Sequence, residues 1–515
     1  MANSLFRKKP LELLLKEMAG EGRLRRVLGP LQLTSLGVGA TIGTGIFVLT
    51  GVAANSKAGP ALMLSFVAAG IACVFAALCY AEFASMVPVA GSAYTYAFAT
   101  LGELFAWIIG WDLVLEYAVS ASTVAVGASK YFQDFISIFG LKLPDAISRA
   151  PMDYDPKLGK LVATGTVLDL PAILIAVLVT TILVIGMKES ARFNTAMVIV
   201  KVSIVLLVIG VGAFYVDPKN WQPFAPFGFA GVSFFGKPLL GGADAGGQPI
   251  GMLAGAAIIF FAYIGFDSVS TNSEEARNPR RDVPLSIIAS LVICTVLYIA
   301  VTAVLTGMIH YDQLDTNAPV SNAFKQKGLI WAQFLISFGA LAGITSVVLV
   351  SISSQARILL AMARDGLLPR KFFGAVHEKF RTPWKSTIVT GMFVGTATAF
   401  LPLRILADLV SIGTLSAFVI VCAAVLVMRR THPDAERPFR APLVPLVPIL
   451  GIATCLLLMF SLPAENWLRL GVWLLIGFVI YFAYGRHHSL LNNRVIEVDE
   501  ASATAASSVV RAEGD

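Results

Sequence analysis

The amino-acid sequence predicts an all-α polytopic membrane protein, and three observations carry that prediction. Of 515 residues, 57% are hydrophobic and 14% charged, whereas a soluble chain carries roughly 25% charged residues. Mean hydropathy is +0.77. The apolar residues fall in blocks of about 20, the length that crosses roughly 30 Å of hydrocarbon. Two of these blocks are interrupted in mid-span, by Gly43 and Gly45 in the first and by Gly265 in the second.

Residues 1–30 are basic, with Arg7, Lys8, Lys9, Lys16, Arg23, Arg25 and Arg26 around a short amphipathic run, Leu11 to Met18. They contain no cleavable apolar region, so no signal peptide is expected. Apolar blocks bounded by charges and turn residues then yield twelve spans, near 31–56, 60–84, 95–128, 168–187, 193–215, 250–273, 284–308, 328–361, 386–402, 405–428, 444–463 and 467–485. Two long loops, 129–167 and 216–249, lie on one side, the second rich in Gly, Pro and aromatics. With the N-terminus inside, about 26 of the 39 Lys and Arg fall on the inner side, the asymmetry that cytoplasmic loops carry. The residues from Arg486 onward are Ser/Ala-rich and acidic near Glu497 to Glu500, a composition that predicts disorder.

The first span reads Leu36-Gly37-Val38-Gly39-Ala40-Thr41-Ile42-Gly43-Thr44-Gly45-Ile46-Phe47-Val48. Four glycines in nine residues make either a helix-packing surface or a break in the helix. The sixth span, Ala257 to Ser268, carries a lone Gly265 and then Asp267. Spans one and six are five helices apart, so the two blocks face opposite ways, and paired interruptions in inverted halves point to a transporter's binding site. A half-helix resuming near Thr44 offers amides that suit a carboxylate. The carbonyls of Ile42, Phe261, Ala262 and Ile264 suit an ammonium, so a zwitterion satisfies both ends. Gly37-Val38-Gly39 is no dinucleotide loop, because no strand precedes it.

Three ionisable residues lie deep in the apolar spans. Lys201 sits nine residues beyond Arg192, about 13 Å into the fifth span at 1.5 Å per residue. It is either a proton carrier or a static tie to backbone carbonyls. Glu116 lies midway along span three with Asp112 one turn before it on the same face; it balances Lys201, relays a proton, contacts a cationic substrate or is a hydrogen-bonded structural carboxyl. Asp267 is either the N-cap of a short helix from Ser268 to Glu275 or a substrate-facing or gating acid. The five cysteines all fall inside apolar segments, with neither disulfide nor metal spacing. The five histidines fall in loops or the tail, and no metalloprotease, phosphate-loop or nucleophile-elbow motif occurs. No enzyme, cofactor, metal or nucleic-acid partner is expected.

Several stretches resemble the cationic amino acid transporter family of the amino acid–polyamine–organocation superfamily, particularly its bacterial members. They are Gly43 to Val48, Gly110-Trp111-Asp112-Leu113-Val114-Leu115-Glu116-Tyr117, Phe261 to Asp267 with Glu274-Glu275-Ala276-Arg277-Asn278-Pro279-Arg280, Ala361 to Pro369, and Arg437-Pro438-Phe439-Arg440-Ala441-Pro442. The resemblance implies a leucine-transporter-type fold of two inverted five-helix repeats plus two further helices. The divisions are then 1–30, a basic cytoplasmic segment; 31–215, the first repeat; 216–249, an extracellular loop; 250–428, the second repeat; 429–485, helices eleven and twelve; and 486–515, a cytoplasmic tail. It implies a substrate carboxylate at Gly43, Thr44 and Gly45 and an amino group at the carbonyls already named. It also implies that Lys201 stands at the ion site of sodium-coupled relatives, near Gly343, Thr345 and Ser346, where loss of its proton replaces sodium release. The expected activity is import of neutral and possibly cationic L-amino acids by proton symport across a bacterial plasma membrane. Exchange on the same fold and a membrane nutrient sensor are the alternatives.

Overall fold

The computed structural model describes residues 6–9, 28–87, 92–155, 160–185, 187–235, 237–244, 247–273, 276–380 and 382–491. The run Leu11–Met18, the pair Glu274–Glu275 and the acidic tail lie outside the described residues. Among the described residues, fourteen α-helices of eight residues or more organise the chain: α1 (Pro30–Thr41), α2 (Leu62–Met86), α3 (Ser92–Thr100), α4 (Glu103–Ser137), α5 (Leu170–Ile185), α6 (Met187–Gly212), α7 (Met252–Ile259), α8 (Pro279–Met308), α9 (Pro319–Gln326), α10 (Ile330–Arg364), α11 (Trp384–Phe400), α12 (Leu403–Thr431), α13 (Leu446–Ser461) and α14 (Ala464–Ile480). Eight helical stretches are long and apolar enough to cross a membrane, and α5 and α13 are apolar but shorter. The molecule is a polytopic helical membrane protein. Its outer faces expose large apolar side chains such as Leu174, Leu178, Val296, Leu475 and Val479, while Glu82, Asp112, Glu116, Lys201 and Asp267 are buried inside. Hydrocarbon rewards that inside-out distribution.

The sequence run read as one third span is two helices. Leu101 and Gly102 separate α3 from α4, and Gly102 takes φ +105°, a conformation open to glycine at little cost. The two long loops hold three antiparallel strand pairs: Met152–Asp155 with Lys160–Ala163, Val232–Phe234 with Lys237–Leu240, and Gly242–Ala243 with Pro249–Ile250. At the start of α5 the buried Asp169 carboxylate accepts from the Ala172 N–H at 3.1 Å and from Ser129 Oγ at 2.6 Å.

Helix partners are far apart in sequence. α2 packs along α8, α4 along α10, and α5 against α11, while α12 lies across α4. The loop between α12 and α13 is held to α2 by charge. Glu82 takes a bidentate pair of bonds from Arg429, both at 2.8 Å, and a third from the Ala441 N–H at 2.8 Å. Arg437 donates to four carbonyls at the end of α12 and beyond it, those of Met428, His432, Pro433 and Ala435. A planar five-donor fork suits that cluster of acceptors. The Arg437–Pro442 motif is therefore a helix terminator and a tether.

α14 is fastened to α4 by tryptophans. Trp107, Trp111 and Trp473 stack at 5.8 and 4.6 Å between ring centroids. Each indole N–H donates across the seam: Trp107 to Gly477 O, Trp111 to Trp473 O and Trp473 to Trp111 O, at 2.8–2.9 Å. Gly477 is required there, because a methyl would run into the Trp111 ring.

Candidate functional site

Both predicted interruptions are breaks. α1 starts on Pro30, with the Gly29 N–H held by Gln32 Oε1 at 2.8 Å, and ends at Thr41. Ile42 is extended (φ −73°, ψ 101°) and still donates its N–H to Val38 O at 3.0 Å. The helix resumes at Thr44 and continues as a wide turn, Gly45–Leu49. The unwound part is narrower than the Ile42–Ile46 stretch suggests. In the second break α7 tightens into a 3-10 turn, Phe260–Tyr263, then Ile264 is extended and Gly265 takes φ +122°. Helix resumes for one turn at Ser268–Thr271.

The two breaks interlock. A methyl on Gly45 would collide with the backbone of Ala262, and a methyl on Gly265 would sit 2.7 Å from Ala40 O. Each break thus uses one glycine to let the other approach. Gly37 does a different job, packing on Ser290 of α8 and on Val269. Ile42, Thr44, Phe261, Ala262, Ile264 and Asp267 are all buried, none more than 7% exposed. Thr44 is fixed by α4: its Oγ1 donates to Val124 O at 3.4 Å and its side chain fills the space over Gly127.

Lys201, fully buried on α6, donates from Nζ to Gly39 O at 2.5 Å and to Ile42 O at 3.1 Å. It therefore occupies carbonyls at the C-terminal end of α1, where the helix dipole is negative. Gly343 on α10 lies against it, a methyl there meeting Lys201 Cβ at 2.8 Å. Ser346 and Thr345 turn back on their own helix, to Gly343 O and Leu341 O. Among the described residues no carboxylate pairs with Lys201. Glu116 instead neighbours Asp267 and Asp112 and reaches toward Thr414 of α12. Ser416 Oγ donates to Asp112 Oδ2 at 2.5 Å, whereas Glu116 Oε1 and Asp112 Oδ1 are buried with no donor.

Asp267 stands at the N-cap position, but its side chain makes no forward cap bond. Tyr117 OH donates to Oδ2 at 2.7 Å and the Gly265 N–H to Oδ1 at 3.2 Å. The carboxylate thus ties the second break to α4. The other tie is one that sequence reasoning missed. Tyr298 of α8 donates to both Thr41 O and Ala262 O at 2.9 Å, stitching the two breaks through one hydroxyl. Of the carbonyls assigned to an ammonium, Ile42 accepts from Lys201, Phe261 from the Ile264 N–H at 3.2 Å, and Ala262 from Tyr298. Each retains a second lone pair.

A buried crossing of two broken helices inside an apolar bundle, with a lysine of α6 seated on carbonyls of the first, defines a secondary-transporter type of membrane protein. The sequence comparisons agree. The amino acid permease family model matches residues 28–482, and the chain belongs to that family, within the amino acid–polyamine–organocation superfamily. It is 47% identical to the Bacillus subtilis methylthioribose transporter, over 95% of this chain and 100% of that one. It is 48% identical to the Bacillus subtilis branched-chain amino acid permease BcaP, over 96% and 100%. The Arabidopsis thaliana vacuolar cationic amino acid transporter 4 is 32% identical, over 96% and 97%. These relatives are permeases and transporters, so the chain belongs among membrane transport proteins and not among enzymes.

Proposed function

We propose that this protein imports L-amino acids across a bacterial plasma membrane by proton symport with alternating access. The observation that carries the reading is the interlocked pair of breaks, Gly45 on Ala262 and Gly265 on Ala40, with Lys201 seated on the carbonyls of the first. Motion of either break alters what the lysine touches, which is the coupling a symporter needs. The helix partners support a five-plus-five inverted repeat: α2 with α8, α4 with α10 and α5 with α11 join spans two and seven, three and eight, and four and nine. On that reading twelve spans cross the bilayer, α1 and the turns to Ala58 forming the first and α7 to Thr271 the sixth. The end of the bundle that carries both termini faces the cytoplasm.

The substrate carboxylate binds the amides at Gly43, Thr44 and Gly45, and its ammonium binds the carbonyls of Ile42, Phe261, Ala262 and Ile264. Asp267 faces the same site, Lys201 carries the coupled proton and Glu116, beside Asp267 and Asp112, relays a proton on the α4 side; Gly343, Thr345 and Ser346 form the α10 side of the lysine site. Two bacterial relatives are named for a neutral sugar and for branched-chain amino acids, which supports small neutral substrates over strictly cationic ones. Purified protein in proteoliposomes tests this with radiolabelled leucine, alanine, arginine and methylthioribose. An inward proton gradient should drive accumulation of the neutral amino acids. Counterflow without net uptake would replace symport by exchange, and binding without any flux would replace transport by sensing.

A further inference from the structure

The first and last described segments, residues 6–9 and 486–491, converge on one place, where α4 begins and α10 ends. From the N-terminal side, Glu103 N–H donates to Arg7 O and Lys9 N–H to Phe98 O, each at 3.0 Å. Lys9 Nζ then reaches Asp365 Oδ1 at 2.8 Å. Gly102 has no side chain because the backbone of Phe6 lies 2.6 Å from where a Cβ would be. From the C-terminal side, Ser489 Oγ donates to Glu103 Oε2 at 2.5 Å and Tyr481 OH to Glu103 Oε1 at 2.9 Å. Leu490 N–H donates to Asp365 O at 3.1 Å, and the His488 carbonyl fills the space over Gly366, which takes φ +85°. Tyr94 OH completes the junction with a 2.6 Å bond to Asp365 Oδ2.

These are one ion pair, hydrogen bonds onto two carboxylates and backbone bonds, and each is modest net of the water it replaces. The N-terminal strand belongs to the chain that enters α1, the half-helix whose end Lys201 holds. Glu103 and Asp365 belong to α4 and the turn after α10, which pack on each other along their length. We propose that the segment Arg486–Leu491, which ends the helical stretch begun by α14 and runs on past it, is a latch. It fixes Glu103 and the Asp365–Gly366 turn in the arrangement that receives Arg7 to Lys9, and so sets how readily this end of the bundle opens. The inference rests on the alternating-access reading above, because only a moving α1 gives the latch something to hold.

The test reads opening directly and needs no substrate. Ser270 is fully buried in the turn after the second break and donates to Ser92 Oγ at 2.8 Å, so Ser270→Cys reports when that turn parts from α3. Protein in nanodiscs is exposed to a membrane-impermeant maleimide. The unsubstituted chain, whose five cysteines are all buried, serves as background and as a probe of general loosening. Ser489→Asp, which sets a like charge on Glu103, and truncation after Gly485 should each speed Ser270→Cys labelling by about tenfold, the equivalent of one hydrogen bond to a charged group. Ser489→Thr, which keeps the hydroxyl, should label at the parent rate. Equal labelling in all variants overturns the latch, as does acceleration that also makes the native cysteines reactive. If truncation abolishes folding, the Ser489→Asp and Ser489→Thr pair decides. Labelling that changes as expected in a protein that fails to transport amino acids would sink the transport reading and leave the latch standing.

Discussion

Replacing Lys201 by methionine separates a coupling lysine from a structural one. The side chain holds two carbonyls, Gly39 O and Ile42 O. Hydrogen bonds from a charged donor contribute about 1.5–3 kcal/mol each, so roughly 3–6 kcal/mol of attraction is lost. Against that stands the cost of placing the ammonium in the span, at least about 2.5–3.5 kcal/mol. Methionine has a similar length, packs flexibly and carries no charge to bury. The two contributions nearly cancel, so Lys201→Met should change stability by no more than about 2 kcal/mol, a shift of a few degrees in Tm. Transport should respond far more. In proteoliposomes, leucine accumulation driven by an inward proton gradient should fall to the level without a gradient, while counterflow persists. If the variant still accumulates leucine in response to the gradient, Lys201 does not couple. A collapse in Tm by more than about 10 °C with no folded protein recovered would make the lysine a static tie.

Other perturbations follow from the same geometry. Gly265→Ala combines positive-φ strain with a clash on Ala40 O; about 2–6 kcal/mol should be lost, while Gly210→Ala, with open space around it, should stay within about 0.5 kcal/mol by thermal unfolding. Tyr298→Phe leaves Thr41 O and Ala262 O without their shared donor; it should cost about 1–3 kcal/mol and slow exchange of substrate measured by counterflow.

What was legible in the sequence is local. Most apolar blocks fall within a few residues of a helix, since hydrocarbon imposes one length on every span, but the third, read as 95–128, misses the ends of α4 (Glu103–Ser137) by eight and nine residues. The two breaks are legible through their glycines: Gly265 takes a positive φ that glycine adopts cheaply, and Gly45 leaves room for the backbone of Ala262. The division of α3 from α4 was hidden, since Leu101 and Gly102 sit in a run that stays apolar on both sides. The partner of Lys201 was hidden for another reason: it is a pair of backbone carbonyls 159 and 162 residues away, and any residue supplies a carbonyl. Tyr298 was missed likewise, as one tyrosine in an apolar helix. Glu82 with Arg429 and Ser489 with Glu103 are pairings across 347 and 386 residues, and no periodicity in a single chain marks them.

The tryptophan seam between α4 and α14 bears on how the molecule is assembled. Trp111 and Trp473 are 362 residues apart, and a ribosome adds about 5–20 residues per second. Trp111 therefore waits roughly 20–70 seconds for the carbonyl that takes its N–H. During that interval α4, already in the bilayer, presents two indoles whose donors have no acceptor in hydrocarbon, a condition that draws polar partners strongly. A helix inserted late is thus the one that closes the face of an early one. A chain cut before Trp473 would leave that face open on a helix otherwise complete, the kind of lesion that membrane chaperones and proteases recognise.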